Sequence, residues 1–97
     1  MTKIIGAQLI VQERQEQLEK HGRSVDRDIK ENDGFQLVHA ASILCTPNPD
    51  HTPEVNTDAP YGWDEELWEK MLNKDYKQRL IIAGALIAAE IDRIEND

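Results

Sequence analysis

The sequence predicts an all-α protein: a small helical bundle of three main helices plus one short helix, with a core shared in a homodimer. Three observations predict it. Apolar residues recur at three- and four-residue steps instead of alternating. Glycines and one proline-rich stretch cut the chain into helix-length pieces. The run from Leu80 to Ala89, LIIAGALIAA, is apolar around the whole helix circumference, which one short chain can hardly enclose. The 97 residues, 39% of them hydrophobic, suit one domain, 1–97, around one core.

The first helix is expected from about Ile4 to Lys20, stopping at Gly22. Ile4, Ala7, Val11 and Leu18 form one apolar stripe with Arg14 inside it, and Ile5 with Leu9 forms a second strip that runs on into Glu13 and Glu16. A helix apolar on two sides at its start is covered on both, by its own bundle or by a second chain. Residues 23–32 read either as a turn or as a short helix capped by Ser24. Asp33 followed by Gln36 has capping-box spacing for the second main helix, whose face carries Leu37, Ala41 and Leu44, with Val38 and Cys45 beside them.

Residues 46–62 carry all 4 prolines and read as a loop. Asp64, Glu65 and Glu66 then put negative charge at the start of the short helix, where the helix dipole favours it. Leu67, Trp68, Met71 and Leu72 form its apolar face, and Asn73 ends it. Asp75 and Gln78 repeat the capping-box spacing for the last helix, Tyr76 to about Glu95, in which Ala83, Gly84, Ala85, Ala88 and Ala89 allow a close neighbour.

A net charge of −8 argues against general binding to nucleic-acid backbones, which needs clustered Lys and Arg. It suits a cation site, a basic protein partner, or solubility alone. The single cysteine, Cys45, excludes an intramolecular disulfide and a thiolate zinc cluster. The N-terminal residues lack the pattern of a secretory signal, and no apolar run reaches the ~20 residues that span a bilayer. A cytoplasmic protein without a membrane segment is expected.

Among groups that could carry chemistry, Glu13 and Glu16 stand first. Carboxylates three apart on a helix can converge on one cation, and magnesium takes such oxygen ligands together with phosphate oxygens and water. Otherwise they form a solvated face paired with Arg14, Lys20 or Arg23. Asp28 and Glu31 repeat the spacing if their stretch is helical; if it is a turn, Asp33 is a cap and the others face solvent. Glu90 beside the buried stripe of the last helix is either a further ligand or the partner of Arg93 or of another chain's arginine. His39 reads as a core or edge histidine, His21 as a helix-terminal cation, and His51 as isolated. Trp63 and Trp68 read as core or interface anchors, with base stacking as the alternative.

The stretches ERQEQLEKHGRS, YGWDEELW and RLIIAGALIAAEIDRI together resemble a group of short phage and prophage proteins over most of the chain. Glu13-x-x-Glu16 followed by Asp28-x-x-Glu31 more distantly resembles the two acidic helix motifs of the all-α nucleotide pyrophosphohydrolases, the MazG-like group. That resemblance implies magnesium held by Glu13, Glu16, Asp28 and Glu31, cleavage of nucleoside triphosphates to monophosphate and pyrophosphate, and an oligomer with a shared helical core. Lys30, Arg14 or Arg27 would then meet the remaining phosphate charge. The opposing hypothesis is a non-enzymatic acidic protein that binds a basic host protein through its carboxylates, with the patch from Asp64 to Glu69 as the surface.

Overall fold

Three of the helices begin on a side-chain cap. The computed structural model describes residues 2–20, 22–47 and 57–97, and these form five helices: α1 (Gly6–Lys20), α2 (Val25–Glu31), α3 (Gln36–Leu44), α4 (Glu65–Leu72) and α5 (Tyr76–Asn96). Ser24, Asp64 and Asp75 accept hydrogen bonds from the backbone N–H groups of Arg27, Leu67 and Gln78 at 3.1, 3.0 and 2.8 Å. Each bond satisfies an amide that the first helical turn leaves free, typically worth about 1 kcal/mol. Within 23–32 the helical reading with the Ser24 cap is therefore the one that forms, over Val25–Glu31, and α2 adds a second short helix to the bundle.

The capping box at Asp33 does not form. Phe35 holds the N-cap position of α3 in the left-handed region, φ 68°, and makes no side-chain cap. Gln36 folds back instead: its Oε1 accepts from Gly34 N–H at 2.7 Å and its Nε2 donates to the Glu31 carbonyl at 3.1 Å. The reason is that α2 runs on to Glu31, so the chain must reverse between Asn32 and Phe35, and Asp33 is consumed by the turn. Much of the proline-rich loop, residues 48–56, lies outside the described residues, as does His21.

All four other helices rest on α5. Its small residues Ala83, Ala85 and Ala89 are buried together with Ile82 and Leu86. Leu37, Ala40, Ala41 and Leu44 of α3 and Trp68 and Leu72 of α4 complete the core with them. Each fully buried large aliphatic contributes roughly 1.5–3 kcal/mol. Gly84 admits α1: a Cβ there would stand 2.6 Å from Ile10 Cδ1, so the missing side chain is the space that Ile10 fills. The expected close approach at the small residues of the last helix is met here.

Arg79 closes the end of α3 onto the start of α5. Its buried guanidinium donates to the carbonyls of Leu44 and Thr46 at 3.1 and 2.6 Å, of Pro47 at 2.8 Å and of Lys74 at 3.1 Å. The last carbonyls of a helix have no partner within it, and Arg79 supplies one where water has little access.

Two expected core stripes lie outside. On α5, Leu80, Ile87, Ile91 and Ile94 are 38–58% exposed within the chain. On α1, which begins at Gly6 and leaves the exposed Ile4 ahead of it, Val11 and Leu18 are exposed, and the buried residues are Arg14 and Gln17. Helix α1 leans on α5 through the side bearing Ile10 and Arg14, with Arg14 donating to Asp92 at 3.1 Å, and this turns its apolar stripe outward. His39 and Cys45 are also exposed. Among the described residues no helix is long and apolar enough to cross a membrane.

Replacing Arg79 with Met keeps the stem and removes the donors, stranding the Leu44, Thr46 and Pro47 carbonyls. The expected loss is about 2–4 kcal/mol, read as a fall in melting temperature of roughly 10 °C or more for a domain of this size. An unchanged melt would show that these bonds do not hold α3 to α5.

Candidate functional site

Helices α1, α2 and α4 each pack on α5 but touch one another little. The space left between them is a cleft of about 1270 Å³. Its α1 wall carries Glu13, Glu16 and Gln17, its α2 wall Arg27, Asp28, Lys30 and Glu31, and its α4 wall Leu67, Lys70 and Met71. Ile82 and Gln78 of α5 also line it, with Arg23 and Trp63 entering from the connecting segments. All four carboxylates singled out in the sequence therefore line one cleft. The cause on α1 is simple: at about 100° per residue, the side that carries Leu9 carries Glu13 and Glu16 further along, away from the stripe of Val11 and Leu18.

The four carboxylates differ in their surroundings. Asp28 is 1% exposed. Its Oδ1 accepts from Asn32 Nδ2 at 2.7 Å, and among the described residues its Oδ2 has no hydrogen-bond partner. Glu13 is half-buried and accepts from Gln17 Nε2 at 3.2 Å, which leaves the buried Gln17 Oε1 also without a partner among the described residues. Glu16 is half-buried beside them. Glu31 is drawn to Arg27 in an exposed pair at 3.1 Å, so it stands at the rim. Among the described residues no group of three or more His, Cys, Asp and Glu is placed to hold a metal ion.

An unpartnered buried oxygen costs about 1–3 kcal/mol, more when charged. Arg14 on α1 has two buried donors, Nε and Nη1, without a partner among the described residues, and two cleft-wall residues carry a buried unpartnered oxygen, Asp28 on its carboxylate and Gln17 on its amide. Both oxygens are acceptors, so the ligand that would satisfy them is a cation or a hydrogen-bond donor. Their chemistry is that of hard oxygen ligands, which suits magnesium, with waters and phosphate oxygens completing its shell. Asp28, one of Glu13 and Glu16, and the Gln17 carbonyl are the residues that could hold it.

Cations share the same walls. Arg27, Lys30, Lys70 and Lys74 line the cleft, and Arg23 lies over the Trp63 ring at 4.7 Å from its centroid. Burial pulls the Arg23 guanidinium below its ordinary value; Asp28 opposes this, Arg14 and Arg27 add to it, and Glu13 opposes it. Trp63 reaches this place by a tight turn. Its N–H donates to the Pro60 carbonyl at 3.1 Å, and Gly62 at the third position has φ +83°, which a side chain would strain. Its indole Nε1 then donates to Asn32 Oδ1 at 2.8 Å.

Other candidates fall elsewhere. Glu90 is buried and bonded to Arg93, whose affinity for its proton this bond raises, and it is absent from the cleft walls. Arg14 does not line the cleft either, whereas Arg27 and Lys30 do. Trp68 is a core anchor as expected, and Trp63 is half-buried at the cleft. Sequence reasoning passed over Gln17, Asn32 and the site role of Arg23. Two of these carried a signal, since Gln17 and Asn32 each stand four residues after a chosen acid, on the same helix side.

Compared with family models, with curated proteins and with solved structures, the chain finds no match in any of the three.

Proposed function

We propose that this chain is a magnesium-dependent nucleotide pyrophosphohydrolase-like protein of phage or prophage origin, acting in the cytoplasm as a homodimer. The observation that carries the reading is Asp28: a buried carboxylate with an unpartnered Oδ2, in a cleft also lined by Glu13, Glu16 and Glu31. The likeness of the two acidic spacings to the MazG-like group supports it from the sequence side. In this reading the cation is held by Asp28 with one carboxylate of α1, Glu13 or Glu16, and by waters and phosphate oxygens, with Glu31 at the rim. Bound there, magnesium would neutralise phosphate oxygens and lower the pKa of an attacking water. Arg23, Lys30 and Lys70 bring N–H donors to the phosphate charge, and the walls of α1, α2 and α4 orient the ligand between them.

The test is release of pyrophosphate from nucleoside triphosphates with magnesium. Asp28→Asn keeps the shape and removes the charge, and Glu13→Gln with Glu16→Gln does the same on α1. Either change should lower kcat/KM by about 100-fold or more while the melt is kept, as expected for ligands whose supporting residues alone matter by 10–100-fold. Hydrolysis unchanged in both variants would sink the assignment.

The homodimer rests on the exposed aliphatic stripe of α5, Leu80, Ile87, Ile91 and Ile94; Val11 and Leu18 of α1 are exposed as well. Exposed apolar patches of this kind mark association surfaces. Light scattering should give twice the chain mass for the native protein and the chain mass for Ile87→Glu with Ile91→Glu. A native monomer at the same concentration would contradict it.

A second reading, binding of a basic host protein without catalysis, draws on Glu65, Glu66 and Glu69, all exposed on α4. Association of that kind weakens steeply with salt and is indifferent to magnesium, so the hydrolysis assay separates the two.

A further inference from the structure

The most connected side chain of the cleft is an indole that the sequence gives no reason to place there. Trp63 donates through Nε1 to Asn32 Oδ1 at 2.8 Å, and Asn32 donates through Nδ2 to Asp28 Oδ1 at 2.7 Å. The direction of this chain is forced. An indole nitrogen can only donate, so it must meet the amide oxygen of Asn32, and the amide NH₂ is left for Asp28. A reversed amide would set two donors against each other at Trp63 and two acceptors against each other at Asp28. The consequence is that one oxygen of Asp28 is occupied and the other, Oδ2, is the one left for a ligand.

The ring of the same indole serves a second purpose. Arg23 lies over it at 4.7 Å, and the guanidinium makes no hydrogen bond or ion pair among the described residues. Stacking fixes a guanidinium without using its N–H donors, so these stay free for an anion. The ring itself is held on both sides of its position in the chain. The Pro60–Trp63 turn delivers it, and the buried Trp68 meets it edge-on at 6.1 Å and 81°. Trp68 in turn donates to the Thr57 carbonyl at 2.7 Å.

We propose that Trp63 and Asn32 are the positioning residues of the cleft: the Trp63 N–H, through Asn32, aims Asp28 Oδ2 at the cation, and the Trp63 ring holds Arg23 ready for the anionic end of the ligand. This rests on the cation-and-phosphate reading above. The ring and the N–H then have separable consequences, because one serves the anion and the other the cation.

The experiment is calorimetric titration of manganese alone, then of pyrophosphate at saturating manganese, into the native protein and four variants whose melts are recorded alongside. Trp63→Phe and Asn32→Leu should each weaken manganese binding by about tenfold or more, and Trp63→Phe should keep pyrophosphate affinity because a ring remains under Arg23. Trp63→Leu should weaken both. Arg23→Gln should weaken pyrophosphate and not weaken manganese, since it removes a positive charge beside Asp28. Native affinity for manganese in Trp63→Phe and Asn32→Leu overturns the proposal while leaving the metal reading intact. Loss of both ligands in all variants in proportion to lowered melting temperature overturns it too, as a purely structural effect. A native protein that binds no manganese overturns it together with the reading on which it rests.

Discussion

The closeness with which other helices can approach α5 governs this fold. Ala83, Ala85 and Ala89 present almost no side chain, and Gly84 presents none, so α3, α4 and α1 sit against the axis of α5 and not against each other. A bundle built around one slender helix has gaps between its outer members. The gap among α1, α2 and α4 is the cleft, with Asp28 and Gln17 buried in its walls and Glu31, Lys30 and Lys70 exposed around them. Bulkier residues on α5 would push α1 outward and change the cleft before they touched any of its polar groups.

Electrostatics inside the cleft differ from those of the chain as a whole. The net charge is −8, yet the cleft walls set Arg23, Arg27, Lys30, Lys70 and Lys74 among the carboxylates. A site of mixed sign suits a ligand that is itself mixed, and a cation bound with phosphate is of that kind. The unpartnered Oδ2 of Asp28 gives the arrangement direction. Folding that leaves a buried carboxylate oxygen unsatisfied is costly, and a ligand that satisfies it recovers that cost on binding. Two exposed arrays remain apart from the cleft: the aliphatic stripe of α5 and the acids of α4.

Much of this was legible from local pattern. The cap at Asp75, the cap at Ser24 as one of two readings, the acidic start of α4, the two short-range acid pairs and the crowded small residues of α5 all follow from spacing within a few residues; that Asp64 caps α4 did not. What escaped depends on distance or on competition. Asn32 and Trp63 are 31 positions apart, and nothing local ties them. Asp33 had the right spacing for a cap, but the extension of α2 to Glu31 left too little chain for it, and Phe35 took a left-handed conformation in its place. Val11 and Leu18 do share one face of α1, though Ile4 lies ahead of the helix, and which face meets α5 was decided by Ile10 fitting against Gly84. Periodicity identifies faces and does not say which face wins.

The central claim is that the Asp28-lined cleft takes a divalent cation with a phosphate ligand. Its most direct test is a thermal-shift titration of the protein with magnesium, with and without a non-hydrolysable nucleoside triphosphate analogue. At about 100 times its dissociation constant a ligand of the folded state adds roughly 2.7 kcal/mol, a rise of several degrees for a domain this small. The account predicts a magnesium-dependent rise that grows with the nucleotide and is lost in Asp28→Asn. A melting temperature that no divalent cation moves, or a rise that Asp28→Asn retains in full, would contradict it.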